Sequence, residues 1–101
     1  MRFEWNPAKS EANRVKHGLS FEEAAELLRG RADYLEIYDE EHADEEDRFI
    51  AVGRIRRGVV VVIYTERDGD VVRILSARLA TQAERRRFVA SKRGEHERRD
   101  S

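Results

Sequence analysis

The spacing of apolar and polar residues predicts two short helices near the start of the chain. Asn6 is followed by a proline, a pair typical of a helix N-cap and first helical position, and Gly18 is typical of a helix C-terminus. These residues predict a first helix over about 7–17. Ser20 with a glutamate three residues later has the pattern of a capping box, and apolar residues then recur at helical spacing. A second helix is therefore predicted over about 21–29.

The same capping pattern predicts one more helix near the end of the chain. Thr81 is followed three residues later by Glu84, and sparse apolar residues continue at helical spacing. We predict a third helix over about 82–92. The remaining residues, 93–101, are polar and charged, and we expect them to form a disordered tail beyond a single domain over 1–92.

Between the second and third helices the pattern changes to that of β-strands. Four stretches are rich in β-branched or aromatic residues and are separated by turn residues. The third is apolar at almost every position, which is typical of a central strand buried on both faces. The stretches are residues 34–38, 49–54, 59–67 and 71–77. This order predicts an α+β fold with two N-terminal helices, a four-stranded, mainly antiparallel sheet and a C-terminal helix.

The turn between the last two predicted strands decides which side chains share a face of the sheet. The dipeptide Asp-Gly at 68–69 is a strong hairpin signal and predicts a two-residue loop. In that register Tyr64 lies opposite Arg73, and Glu66 is the diagonal neighbour of Arg73. One face would then carry Tyr64, Glu66 and Arg73 together. The opposite face, packed on a helix, would carry Ile63, Val72, Ile74 and Ser76.

A three-residue loop over 68–70 would give a different register. It would place Arg73 beside Thr65 and separate it from Tyr64. The predicted cluster therefore depends on the length of this turn.

A carboxylate, a phenol and a guanidinium together have the chemistry needed to cleave RNA without a metal ion. A base takes the proton of the ribose 2′-hydroxyl, cations stabilise the charge that builds on the phosphate, and an acid protonates the leaving oxygen. A Glu and Arg pair on neighbouring strands is, however, also typical of a surface ion pair. The three histidines, His17, His42 and His96, lack metal-ligand spacing, so we predict no metal site and no cofactor.

Charge is unevenly distributed along the chain, although the net charge is only −1. Residues 31–48 hold nine acidic and two basic side chains, whereas residues 49–80 and 81–101 each carry a charge of +3. Arginine outnumbers lysine by 17 to 3, and the planar guanidinium binds two phosphate oxygens at once. The basic second half favours a nucleic-acid partner, with arginine codon bias as the alternative.

Nothing in the sequence predicts a membrane or secreted location. The N-terminus has no apolar signal segment, and no apolar run approaches the roughly 20 residues that span a bilayer. The chain has no cysteine, which fits a reducing compartment. We expect a cytoplasmic protein without a membrane partner.

Three segments of the chain carry a resemblance to a known family. They are FEWNPAKSEANRVKHGLSFEEA, EEHADEEDRFIAVG and YTERDGDVVRILSARLATQAERRRF, and they extend from Phe3 to Phe88. Together they resemble the BrnT toxins, which are RelE-like ribonuclease toxins of type II toxin-antitoxin systems. The resemblance implies an endoribonuclease that inhibits translation and growth. It also implies a cognate ribbon-helix-helix antitoxin, similar to BrnA, and operator DNA bound through that antitoxin.

The resemblance can be carried over to individual positions. One departure is Phe88, near a position where family members often carry tyrosine. Phenylalanine cannot transfer a proton, so a tyrosine role there is lost or moves to Tyr64. The residues that match the family motifs are Lys16, His17 and Gly18, then Glu66 and Arg67, then Arg73 and Arg78, and finally Glu84 and Arg85.

The matches and the predicted register together give a candidate site. Arg73 and Arg78 would stabilise phosphate charge, and Glu66 would be the base. His17 lies at a helix C-terminus, where the helix dipole favours its charged form, so it would be the acid, a phosphate contact or only a helix cap. Tyr64 completes the predicted catalytic set. The predicted RNA-binding residues are Lys16, Arg67 and Arg85.

Two other interpretations remain open at this stage. The chain could be a non-catalytic module with a RelE-like fold that binds nucleic acid or the antitoxin. Alternatively, the arginines could serve only to neutralise carboxylates of the acidic loop over 39–47.

Overall fold

A five-stranded sheet forms the centre of the computed structural model, which describes residues 2–30, 34–42, 47–67 and 70–99. The strands follow the order β1-β5-β4-β3-β2 across the sheet. A single 3-10 turn, Glu40–His42, follows β2. The predicted α+β class is confirmed. The elements are β1 (Arg2–Glu4), α1 (Pro7–His17), α2 (Phe21–Arg29), β2 (Leu35–Tyr38), β3 (Arg48–Ile55), β4 (Gly58–Arg67), β5 (Val71–Leu79) and α3 (Gln82–Arg99).

The predicted helix caps are present. The Asn6 side chain accepts hydrogen bonds from the backbone N–H groups of Ala8 and Lys9, and Gly18 adopts the left-handed conformation with φ of 72°. Ser20 and Glu23 form the capping box at the start of α2. Local side-chain chemistry therefore sets the bounds of α1 and α2 where the sequence predicts them.

The strand β1 was not predicted, because three residues are too few to show a period. It pairs in parallel with β5, and Glu4 lies directly beside Arg73. The neighbouring residues Phe3 and Trp5 pack against the main core. This short strand consequently brings a carboxylate from the N-terminus next to an arginine of β5.

The predicted register of the hairpin between β4 and β5 is wrong. Pairing begins with Arg67 opposite Val71, so the loop holds three residues, of which 68 and 69 lie outside the described residues. Arg73 accordingly lies opposite Thr65, and Tyr64 lies opposite Ile74. The dipeptide Asp-Gly favours a two-residue loop, but three-residue loops are also common in hairpins, and this hairpin has one.

A β-bulge in β5 adds a second change of register. Ile63 pairs with Ser76 and Tyr64 pairs with Ile74, which leaves Leu75 without a partner. Val72 and Ile74 pack beneath the helices as predicted, but Ile63 and Ser76 do not share that face.

The helices α1 and α2 cover one face of the sheet, called here the α1–α2 face. Asn13 of α1 is buried and donates hydrogen bonds to the carbonyls of Leu19 and Ala77 at 2.6 and 2.8 Å. It also accepts one from the Ala77 N–H at 3.3 Å, which joins α1 to β5. A Cβ on Gly53 would lie 2.6 Å from Leu27 Cδ1, so this glycine lets α2 approach β3 closely. The largest fully buried side chains beneath the helices include Leu19, Phe21, Leu27, Val60, Val62, Tyr64 and Ile74.

The other side of the sheet, called here the α3 face, has a smaller apolar cluster. Phe88 of α3 is 5% exposed and packs with Val52, Val59 and Val61. The helix backbone continues to Arg99, beyond the predicted end near residue 92 and into the segment predicted to be a disordered tail. Arg and Glu, which are common in this segment, are good helix formers. None of the helices in the described ranges has both the length and the apolar composition to cross a bilayer.

Candidate active site

The predicted cluster of Tyr64, Glu66 and Arg73 does not form. Successive residues of a strand point to opposite faces, and directly paired residues point to the same face. Tyr64 packs with the core under α1 and α2, so Glu66, two residues on, shares that face. Thr65 and its partner Arg73 therefore lie on the α3 face. The sheet separates the predicted base from the predicted cation.

Tyr64 occupies a structural environment. Its side chain is 2% exposed, its ring stacks on Phe49 with centroids 5.5 Å apart, and its hydroxyl donates to Glu36 Oε2 at 2.5 Å. Burial raises the pKa of Tyr64, and the hydrogen bond to Glu36 raises this pKa further. The phenol thus keeps its proton at neutral pH and does not face the arginines.

Three arginines and one carboxylate gather at the hairpin end of the α3 face. Arg73 and Arg67 each place Nη1 3.5 Å from Oε1 of Glu4. The side chains of Glu4, Arg67 and Arg73 are 41%, 44% and 35% exposed, so solvent reaches them. Arg48 joins them, because it pairs with Thr65, which in turn pairs with Arg73. This arrangement, called here the hairpin-end basic cluster, consists of Glu4, Arg48, Thr65, Arg67 and Arg73.

Arg78 lies on the same face, farther along β5, opposite Val61. Its guanidinium makes a bidentate contact with Glu84 of α3, at 2.7 and 2.8 Å. Glu84 also forms the predicted capping box with Thr81. The hydrogen bond from Arg78 is the main cause that lowers the pKa of Glu84 to about 2, and the same contact raises the pKa of Arg78. The pair fixes the first turn of α3 and holds the Arg78 guanidinium in place.

The predicted acid, His17, lies away from both arginines. It is half-buried at the end of α1, beside an exposed Lys16. A Cβ on the next residue, Gly18, would lie 3.8 Å from Arg57 Nη2 in the turn between β3 and β4. That turn is at the opposite end of β4 from the hairpin, roughly 30 Å along the strand. Lys16 and His17 consequently do not join the hairpin-end basic cluster.

The remaining predicted RNA-binding residues, Arg67 and Arg85, are exposed. Arg67 belongs to the hairpin-end basic cluster. Arg85 lies on α3, where it lines a shallow groove with Gln82, Arg86, Val89 and Ala90.

The contacts of Arg73 and Arg78 also test whether these arginines neutralise the acidic loop. Arg73 contacts Glu4 and Arg78 contacts Glu84, and neither carboxylate belongs to residues 39–47. Residues 43–46 of that loop lie outside the described residues. These contacts do not support the interpretation that the two arginines serve to neutralise the loop.

Sequence reasoning missed Glu4 and Arg48 as site residues. Their proximity to Arg73 arises from the parallel pairing of β1 and the register of β3, neither of which has a local sequence signal. Thr65 was named only as the neighbour of Arg73 in the alternative register. Over the described part of the chain, no three side chains of His, Cys, Asp or Glu are grouped as they would be around a metal ion.

Comparison with known proteins identifies the family. The family model described as "Ribonuclease toxin, BrnT, of type II toxin-antitoxin system" matches residues 5–84. The fold is similar to the crystal structure of the Brucella abortus ribonuclease toxin BrnT, with a TM-score of 0.59 and 24% sequence identity over 81% of this chain and 99% of that chain. No curated protein sequence matches significantly. Since the family model covers most of the chain, the protein belongs to the BrnT family of ribonuclease toxins of type II toxin-antitoxin systems.

Proposed function

We propose that this ribonuclease toxin cleaves RNA without a metal ion, at an active site on the α3 face of the sheet. The observation that supports this site is the carboxylate of Glu4, 3.5 Å from the guanidinium groups of both Arg67 and Arg73. Arginine pairs of this kind bind the oxygens of a phosphodiester through charge-assisted hydrogen bonds. The site therefore combines a candidate base with cations that meet phosphate.

In the proposed reaction, Glu4 replaces Glu66 as the base. Its carboxylate takes the proton of the ribose 2′-hydroxyl, and the 2′-oxygen attacks the adjacent phosphorus. Arg73 and Arg78 stabilise the charge that builds on the phosphate oxygens. The bond from phosphorus to the 5′-oxygen breaks, which leaves a 2′,3′-cyclic phosphate and a free 5′-hydroxyl.

The leaving 5′-oxygen takes its proton from water in this proposal. His17, the one histidine whose side chain is described, lies at the other end of the sheet. Tyr64 lies on the opposite face and is buried. We therefore assign neither residue to proton transfer, and assign Lys16 no contact with the cleaved phosphate.

The biological setting follows from the family. We propose that cleavage inhibits translation and growth in the cytoplasm. A ribbon-helix-helix antitoxin similar to BrnA would neutralise the toxin, and the pair would bind its operator DNA. The family description, which places BrnT in a type II system, supports a protein antitoxin.

A second candidate is a binding module that retains the fold but lacks catalysis. It is favoured by Phe88, which is 5% exposed among valines and cannot transfer a proton. This candidate predicts salt-dependent RNA binding without cleavage.

The test is cleavage of a defined RNA in EDTA, offered both free and on translating ribosomes. Arg73→Gln is compared with wild type and with Arg14→Gln, which removes the same charge from an exposed position on α1. We expect Arg73→Gln to slow cleavage by about 10²–10³-fold, the usual cost of removing one donor to a developing oxyanion. Arg14→Gln should cleave like wild type.

Two outcomes would contradict this function. Cleavage only after a divalent metal is added would refute metal independence. Binding of RNA by wild type with no cleavage in either format would favour the binding module.

A further inference from the structure

Three polar side chains form a row across the three central strands, at the hairpin end of the α3 face. Arg48 of β3 pairs with Thr65 of β4, and Thr65 pairs with Arg73 of β5. Directly opposed residues on antiparallel strands have their Cβ atoms about 5 Å apart on the same face. Two guanidinium groups thus flank one hydroxyl.

Two atoms of this row are buried without a hydrogen-bond partner. Thr65 is 4% exposed, yet its Oγ1 makes no hydrogen bond among the described residues. Arg48 Nε is likewise buried and unpaired. A buried polar atom without a partner destabilises the fold, so native proteins rarely contain one.

The unpaired atoms favour an anionic ligand. Nε–H of Arg48 is a donor only, and the Thr65 hydroxyl can donate as well. Three guanidinium groups, of Arg48, Arg67 and Arg73, lie at this end of the face, and the carboxylate of Glu4 is 3.5 Å from two of them. Unpaired donors beside arginines fit a ligand with several acceptor oxygens and do not fit a cation.

We propose that Arg48, Thr65 and Arg73 bind one backbone phosphate of the RNA. The inference rests on the proposed function, in which Arg73 stabilises the cleaved phosphate, and it adds Arg48 and Thr65 as further donors to that phosphate. Thr65 Oγ1 is covered, so binding requires a flanking side chain to turn. The guanidinium of Arg73, whose side chain is 35% exposed and contacts Glu4, would turn toward the phosphate. The phosphate would then accept hydrogen bonds from Thr65 Oγ1 and Arg48 Nε.

The site is tested by the affinity of the full chain for a 2′-O-methyl RNA, which cannot be cleaved through its 2′-oxygen. Fluorescence anisotropy is measured over a range of salt for wild type, Thr65→Val, Thr65→Ser and Arg48→Gln. We expect Thr65→Val to bind about tenfold more weakly, since a hydrogen bond to a charged group is lost, and Thr65→Ser to retain affinity. Arg48→Gln should reduce the salt slope by about one, whereas Arg14→Gln should not.

Thermal unfolding separates this role from a structural one. Removing an unpaired buried hydroxyl should leave Thr65→Val at least as stable as wild type, so weaker binding would not reflect misfolding. Equal affinity of Thr65→Val and wild type would overturn the inference, and so would a wild type that binds no RNA. Tight, Thr65-dependent binding without cleavage of ordinary RNA would contradict the proposed catalysis and leave the phosphate site standing.

Discussion

The two faces of the sheet differ in how their buried polar groups are paired. On the α1–α2 face, Asn13 makes three hydrogen bonds and the Tyr64 hydroxyl donates to Glu36. On the α3 face, within the described residues, Thr65 Oγ1 and Arg48 Nε are buried and unpaired. Paired groups hold the helices to the sheet, whereas unpaired donors beside arginines suit a ligand. The same sheet thus supports the fold on one face, and we propose that it offers phosphate contacts on the other.

The largest expected effect on stability concerns Asn13. Asn13→Ala should lower the free energy of unfolding by about 3 kcal/mol, because the buried backbone groups of Leu19 and Ala77 lose their partners. Urea unfolding measures the change. The matched control is Asn6→Ala, which removes an exposed N-cap of the same helix and should cost only about 1 kcal/mol. Equal losses of stability in the two variants would show that the buried hydrogen bonds of Asn13 contribute no more than the exposed N-cap.

A smaller effect is expected for Tyr64. Tyr64→Phe should cost about 1 kcal/mol, since Glu36 is exposed and regains water when the hydroxyl is removed. The rate of RNA cleavage should not change, because the hydroxyl lies on the α1–α2 face. Tyr38→Phe, which removes an exposed hydroxyl bound to Asp47, is the control. A hundredfold loss of cleavage in a folded Tyr64→Phe protein would place catalysis on the α1–α2 face instead.

The smallest expected effect concerns the contact between Arg78 and Glu84, which joins α3 to the sheet. Its contribution to stability depends on pH. The pKa of Glu84 is lowered from 4.5 to about 2 in the folded protein, chiefly by its hydrogen bond from Arg78. The contact therefore stabilises the fold fully above pH 4.5, and this contribution is lost as the pH falls toward 2. Glu84→Gln should be less stable than wild type by under about 1 kcal/mol at pH 7, a modest value for a partly exposed pair. If the stability difference between Glu84→Gln and wild type grew as the pH fell, the lowered pKa assigned to Glu84 would be contradicted.

Local signals in the sequence predicted the helices and the central strand well. The capping residues Asn6 and Ser20 set the helix starts, and the continuous apolar run of β4 marked a strand buried on both faces. These features depend on neighbours within one or two turns, so a single sequence reveals them.

The site was predicted less well, because it depends on pairing between distant segments. A hairpin loop longer by one residue moved Arg73 to the other face from Tyr64, since side chains alternate along a strand. The bulge at Leu75 and the parallel pairing of Glu4 with Arg73 leave no pattern in the sequence. Arg73 could therefore be predicted as a candidate site residue, whereas Glu4, the carboxylate beside it, could not.

The most direct test of which face is catalytic compares two carboxylates at the same end of the sheet. Glu4 lies with the arginines on the α3 face, and Glu66 shares the α1–α2 face with Tyr64. Cleavage of a defined RNA in EDTA is measured for Glu4→Gln and Glu66→Gln, after circular dichroism shows that both variants are folded. We predict that Glu4→Gln slows cleavage by about 10²–10⁴-fold, the usual contribution of a general base, and that Glu66→Gln cleaves like wild type. Loss of cleavage in Glu66→Gln, with Glu4→Gln unaffected, would contradict the account.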